Sequence, residues 1–134
     1  MDEFEKTAEK MLEYYQKTIN AYGTGDLYFD GNGDTVIIED IDNEIKNDKV
    51  YSIFDIYDIF NINYVINSYF LKDKCRDNFM GCELMIACGG PNVWIDTNDM
   101  LIKLYWGSYE NSVPFSIAAA CRIDDDIYDS VCWE

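Results

Sequence analysis

The sequence contains no histidine, and only 10 Lys and Arg stand against 26 Asp and Glu. The missing histidine removes the usual base that activates a cysteine or serine nucleophile. It also removes the ligand that would complete a mixed Cys/His zinc site. The five cysteines, Cys75, Cys82, Cys88, Cys121 and Cys132, are odd in number, and none stands in Cys-x-x-Cys spacing. They read as reduced core or near-surface thiols. No apolar run approaches the roughly 20 residues of a membrane span. The opening "MDEFEKTAEK" has no apolar stretch of the kind a secretory leader needs. The expectation is therefore a cytoplasmic protein that does not engage a membrane. The shortage of bases leaves a net charge of −16. Such a chain repels nucleic acid and anionic lipid, so direct nucleic-acid binding is not expected, and its natural partners are basic surfaces. The plainer alternative is that the acids serve solubility alone.

Apolar and aromatic residues are plentiful, with 11 Tyr, 7 Phe and 3 Trp. That content supports one folded domain over residues 1–134. Phe4, Ala8, Met11, Leu12, Tyr15, Ile19 and Tyr22 recur at steps of three and four, which predicts an amphipathic helix. Glu5, Glu9 and Glu13 form a row on its other side beside Lys6 and Lys10, and Gly23 and Gly25 are read as its end. "DLYFDGNGDTVIIED" reads as a hairpin around "DGNGD". Asp30, Asn32 and Asp34 mimic the start of a calcium loop. Thr35 and Ile41 then occupy positions where that loop needs Gly and a bidentate Glu, so the hairpin is preferred and no metal is expected.

Residues 39–49 are polar and read as a loop. "YSIFDIYDIFNI" places Ile53, Ile56, Tyr57 and Phe60 at helical spacing behind a Ser52 cap, although Ile-rich runs also suit strands. "NYVINSYFLK" reads as a strand covered on both faces, and "KDKCRDN" as a loop holding Lys72, Lys74 and Arg76. A meander follows. "CELMIAC" sets Cys82, Leu84, Ile86 and Cys88 on one side of a strand. "NVWID" and "LIKLYW" are the next strands, joined through "TND", and "GSYENSVP" reads as a loop. The last segment is read as a helix with Ala119, Ala120, Ile123, Ile127 and Val131 on one stripe. Asp124, Asp125, Asp126 and Asp129 are placed on its outer side. The fold class is α+β: an antiparallel sheet of about five to six strands, an N-terminal helix, a short middle helix and an acidic C-terminal helix.

"ACGGPNVWIDTND" raises the question of a phosphate cradle. Neither nucleotide-binding glycine spacing is met, no lysine follows closely, and the next element is a strand, so it reads as a turn. Asp96 and Asp99 stand close in sequence, and Trp94 and Trp106 suggest a sugar-binding face. A glycosidase, however, needs two carboxylates about 5 to 9 Å apart across a cleft, which spacing alone does not establish. No catalytic residue and no cofactor is assigned.

The acids themselves suggest a different use. Carboxylates four residues apart on a helix lie about 6 Å apart along its axis, comparable to phosphates along a strand. Nuclease grooves hold phosphates with Arg and Lys, so a rigid acidic protein can occupy them first. For any single row, a solvated helix face is the simpler explanation. Glu39, Asp40, Asp42, Glu44, Asp124, Asp125, Asp126 and Asp129 are the residues read as partner-binding.

Gly89, Gly90, Pro91, Asn92, Ile95, Asp96, Thr97, Tyr105, Trp106 and Gly107, followed by an acidic helix, resemble a group of small acidic proteins. That group is carried by phages and conjugative elements of Gram-positive gut bacteria. The resemblance covers residues 82–130 and assigns no catalytic residue. It implies a mobile-element setting, in which acidic inhibitors of CRISPR effectors and restriction enzymes occur. The expected function is thus an anti-CRISPR or anti-restriction inhibitor with a basic nucleic-acid-binding protein as partner. The alternatives are an immunity protein against a basic toxin, and a small hydrolase or carbohydrate-binding module. Monomer and homodimer both remain open.

Overall fold

The computed structural model describes residues 2–38, 48–66 and 79–130. The N-terminal helix α1 spans Glu3–Thr24, with the Asp2 carboxylate accepting from the Glu5 amide at its start and Gly25 closing it at φ 80°. A three-stranded sheet follows, formed by β1 (Leu27–Phe29), β2 (Thr35–Ile37) and β3 (Asp48–Lys49) in the order β2-β1-β3. The expected hairpin is present, with Tyr28 opposite Val36. Asp30 Oδ1 accepts from the amides of Asn32 and Asp34, so that carboxylate closes its own turn.

The short helix α2 (Ile53–Ile56) is capped by the Ser52 hydroxyl, which accepts from the Phe54 amide. It stops at Tyr57, which returns to extended backbone, so the middle helix is shorter than its spacing predicted. The β-branched isoleucines and the lack of a second capped turn make continuation costly.

The second sheet is a five-stranded antiparallel meander of β4 (Asn61–Ile66), β5 (Phe79–Ala87), β6 (Asn92–Asp96), β7 (Leu101–Trp106) and β8 (Tyr109–Pro114), paired in chain order. The α+β class holds, but the strands form two sheets where one was expected. "GSYENSVP" also proves to be mostly strand: Ile102 pairs with Val113 and Tyr105 with Glu110, with the turn confined to residues 107–108. Its polar residues are tolerated because β8 is an edge strand with most of its side chains in solvent. At the other edge, β4 was expected to be covered on both faces, yet none of its described side chains is buried.

The C-terminal helix α3 spans Ile117–Ser130. It packs beside α1, and both helices lie on the same side of the meander. Leu84, Val93, Ile95, Ile102 and Leu104 from the sheet meet Ala8, Leu12 and Ile19 of α1 and Ala119, Ile123 and Ile127 of α3 in one core. Gly23 lies inside α1, not past its end. A Cβ there would stand 2.5 Å from the Ala119 backbone nitrogen, so this glycine sets how closely the two helices approach.

The "GGPN" segment is a turn between β5 and β6. Gly89 and Gly90 adopt φ 103° and 155°, the Gly90–Pro91 bond is cis, and Asn92 Oδ1 accepts from the Gly89 amide.

Candidate interaction surface

The four aspartates of α3 do not share one face. Successive helix residues are rotated by about 100°, so a run of three spans more than half the circumference. Ile123 and Ile127 point into the core, and Asp124 and Asp126 fall on the two shoulders of that stripe. Asp125 and Asp129 fall opposite it, exposed. The expectation that all four look outward is therefore corrected for Asp124 and Asp126.

Asp124 faces the meander. Thr97, 5% exposed, donates its hydroxyl to Asp124 Oδ1 at 2.6 Å, and Cys82 Sγ lies 3.7 Å from the same oxygen. Thr97 in turn accepts from the Cys82 amide. Burial raises the Asp124 carboxyl above its ordinary value, opposed by these hydrogen bonds. Burial also pushes the Cys82 thiol up to about 12, so it stays protonated and unreactive at neutral pH.

Asp126 faces the other way. Its Oδ2 accepts from the hydroxyl of Tyr22, which is fully buried, and from the Ile53 amide at 3.0 Å. Arg122 stacks its guanidinium 4.3 Å from the centre of the Tyr22 ring and donates to the carbonyls of Tyr22 and Val50. One carboxylate and one guanidinium of α3 thus hold the segment from Val50 to Ile53 against both helices.

The surface beside this joint is acidic and aromatic. Tyr51 is 70% exposed and Phe54 42% exposed. They flank Ile53, whose amide is tied to Asp126, while Asp125 and Asp129 flank Asp126 on α3. Asp55 and Asp58 are exposed on the same segment. The sequence reading gave no role to the aromatic residues Tyr51 and Phe54. The alternation of aromatic and acidic residues in "YSIFDIYDIF" was the available signal. It was absorbed into a predicted helix, where aromatics usually mean core.

Glu39, Asp40, Asp42 and Glu44 lie outside the described residues. Along α1, Glu9 and Glu13 are exposed, Glu5 is half-buried, and Glu13 pairs with Lys17 at 3.0 Å.

The residues singled out for sugar or hydrolytic chemistry do not converge. Trp94 lies opposite Lys103 in the register, on the sheet face away from the helices. Trp106 lies on the helix-covered face, its ring centre 4.4 Å from that of Phe4. Asp96 is held by Lys103 Nζ at 2.9 Å and by the Asp99 amide, and Asp99 shares the same lysine at 3.9 Å. Asp96 and Thr97 of the turn motif are both structural, one through Lys103 and the other through Asp124.

Comparison with family models, curated proteins and solved structures gives no match for this chain. Among the described residues, no helix is long and apolar enough to cross a membrane, and no group of three or more Cys, Asp or Glu is placed to hold a metal ion.

Proposed function

We propose that this chain is an acidic inhibitor that occupies the basic nucleic-acid groove of a nuclease, a CRISPR effector or a restriction enzyme. The observation that carries the reading is the surface at the α2–α3 joint. There Asp125 and Asp129 stand exposed on α3, and Tyr51, Phe54, Asp55 and Asp58 stand exposed on the segment tied to it through Ile53 and Asp126, in a chain of net charge −16. Arginines that grip phosphates also pair with carboxylates and stack on aromatic rings, so both components of this surface suit the side chains of such a groove. The joint is rigidified from beneath by Asp126 and Arg122, which lowers the ordering cost on binding.

The test is affinity capture from a native host lysate, followed by challenge with duplex DNA. The reading expects a nucleic-acid-binding partner that DNA displaces and that moderate salt releases. Asp125→Lys with Asp129→Lys should abolish capture while leaving the fold intact. Asp126 is unsuitable for this purpose, because its substitution breaks the joint itself. If the captured partner resists DNA competition, or if the double reversal binds as well as the parent chain, the proposal fails.

A further inference from the structure

The two edges of the meander are built differently. On β8, two positions are closed to a further strand. Asn111 Oδ1 accepts from the Ser112 amide at 2.9 Å, and Pro114 has no N–H and accepts at its carbonyl from Gln16 Nε2 at 2.7 Å. At the other end of the sheet, β4 pairs with β5 alone among the described residues. Strand edges are ordinarily kept from further pairing by charges or proline. β4 has neither, and it lies within residues 59–71, the longest uncharged run of the chain. Phe60, just before the strand, is 58% exposed, and Tyr64 within it is 45% exposed.

We infer that β4 pairs with β4 of a second copy of this chain, joining two five-stranded meanders into one continuous antiparallel sheet. Charge and symmetry name the occupant. A basic partner finds no carboxylate on this strand. A chain of net charge −16 meets its own copy with least repulsion where neither carries charge. Ile62 stands opposite Leu84 and Tyr64 opposite Cys82, so both lie on the helix-covered side of the sheet. A twofold axis perpendicular to the sheet at Asn63 sets Ile62 of each copy opposite Tyr64 of the other and keeps that face continuous. Aromatic and β-branched residues are favourable cross-strand pairs. Because β8 is blocked, the pairing closes at two copies and does not run on into a fibre.

The inference does not rest on the inhibitor reading, and salt acts on the two in opposite directions. Screening releases a basic partner but strengthens the association of two acidic chains.

Sedimentation velocity over a dilution series, at low and at moderate salt, reads the association. The expected result is a monomer–dimer equilibrium without larger species, shifted toward dimer by salt. Tyr64→Lys should abolish the dimer, because it sets a lysine on the pairing edge of each copy. Its far-UV circular dichroism should match the parent, since Tyr64 is exposed in the single chain. Ser112→Lys, on the opposite edge, should dimerise as the parent does. Hydrogen exchange needs no substitution and decides alone if Tyr64→Lys fails to fold. Amides of residues 61–65 should gain protection as the concentration rises, and those of residues 109–114 should not. A parent chain that stays monomeric at every concentration would overturn the inference. A dimer that Tyr64→Lys leaves intact, or gained protection that falls elsewhere than β4, would do the same. Protection of residues 61–65 that is equal at all concentrations would also overturn it, because the free side of β4 would then be covered within one chain.

Discussion

Replacing Asp126 by Ala should destabilise the fold far more than the same change at its neighbour Asp125. Asp126 Oδ2 accepts two hydrogen bonds from groups that have left water. The Ile53 amide donates at 3.0 Å, and Ile53 is fully buried. The Tyr22 hydroxyl also donates, and without Asp126 it retains only the Tyr51 carbonyl at 3.2 Å. A buried donor left without a partner costs about 1–3 kcal/mol, and a hydrogen bond to a charged group contributes about 1.5–3. Tyr22 keeps one acceptor and the half-buried carboxylate no longer needs desolvating, so the net loss should be about 2–4 kcal/mol. Asp125 faces solvent, and its loss should fall within about 0.5 kcal/mol of zero. Urea unfolding followed by tryptophan fluorescence reads both, with the midpoint falling at unchanged slope for Asp126→Ala. A cycle with Tyr22→Phe should show coupling of about 1 kcal/mol or more. Equal midpoints for the Asp125 and Asp126 variants would refute the division of the α3 aspartates into inward and outward sets.

Gly23→Ala should cost about 1–2 kcal/mol despite the better helix propensity of Ala, because the new methyl meets Ala119 backbone that cannot yield without parting the helices; thermal unfolding checks it. Tyr57→Phe should raise stability by about 1 kcal/mol, since it deletes a buried hydroxyl that has no hydrogen-bond partner among the described residues; a fall in the melting temperature would show that the hydroxyl is satisfied after all. Asp124 titrates above its ordinary value in the folded chain. Its contribution is therefore complete below the unfolded value of about 3.9 and is lost as pH rises through the raised folded value. Asp124→Asn, which can still accept from Thr97, should flatten the fall in stability over that window, as pH-dependent urea midpoints would show. Added salt should raise the melting temperature of the parent chain by screening repulsion among 26 acids.

Periodicity carried the long elements. The spacing of Phe4 to Tyr22 and of Ala119 to Ile127 marked the two helices, and "NVWID" and "LIKLYW" marked two strands of the meander. What stayed hidden was set by position in the fold. Tyr109–Pro114 reads as a loop because an edge strand needs no apolar alternation on its open side. Gly23 reads as a helix end because sequence does not show that Ala119 lies against it. The aspartates of α3 read as one outward cluster because the charge of a run is easier to see than its rotation around a helix axis. Asp124 and Asp126 are legible as shoulder positions only once Ile123 and Ile127 are taken as the buried stripe.

The central claim is that the acidic surface competes with nucleic acid for a basic groove. Its most direct test is displacement: the captured partner is held on the immobilised chain and duplex DNA is titrated in at fixed salt. The account predicts mutually exclusive binding, with DNA releasing the partner from the parent chain and the Asp125→Lys, Asp129→Lys chain failing to hold it at all. A ternary complex of chain, partner and DNA would contradict it.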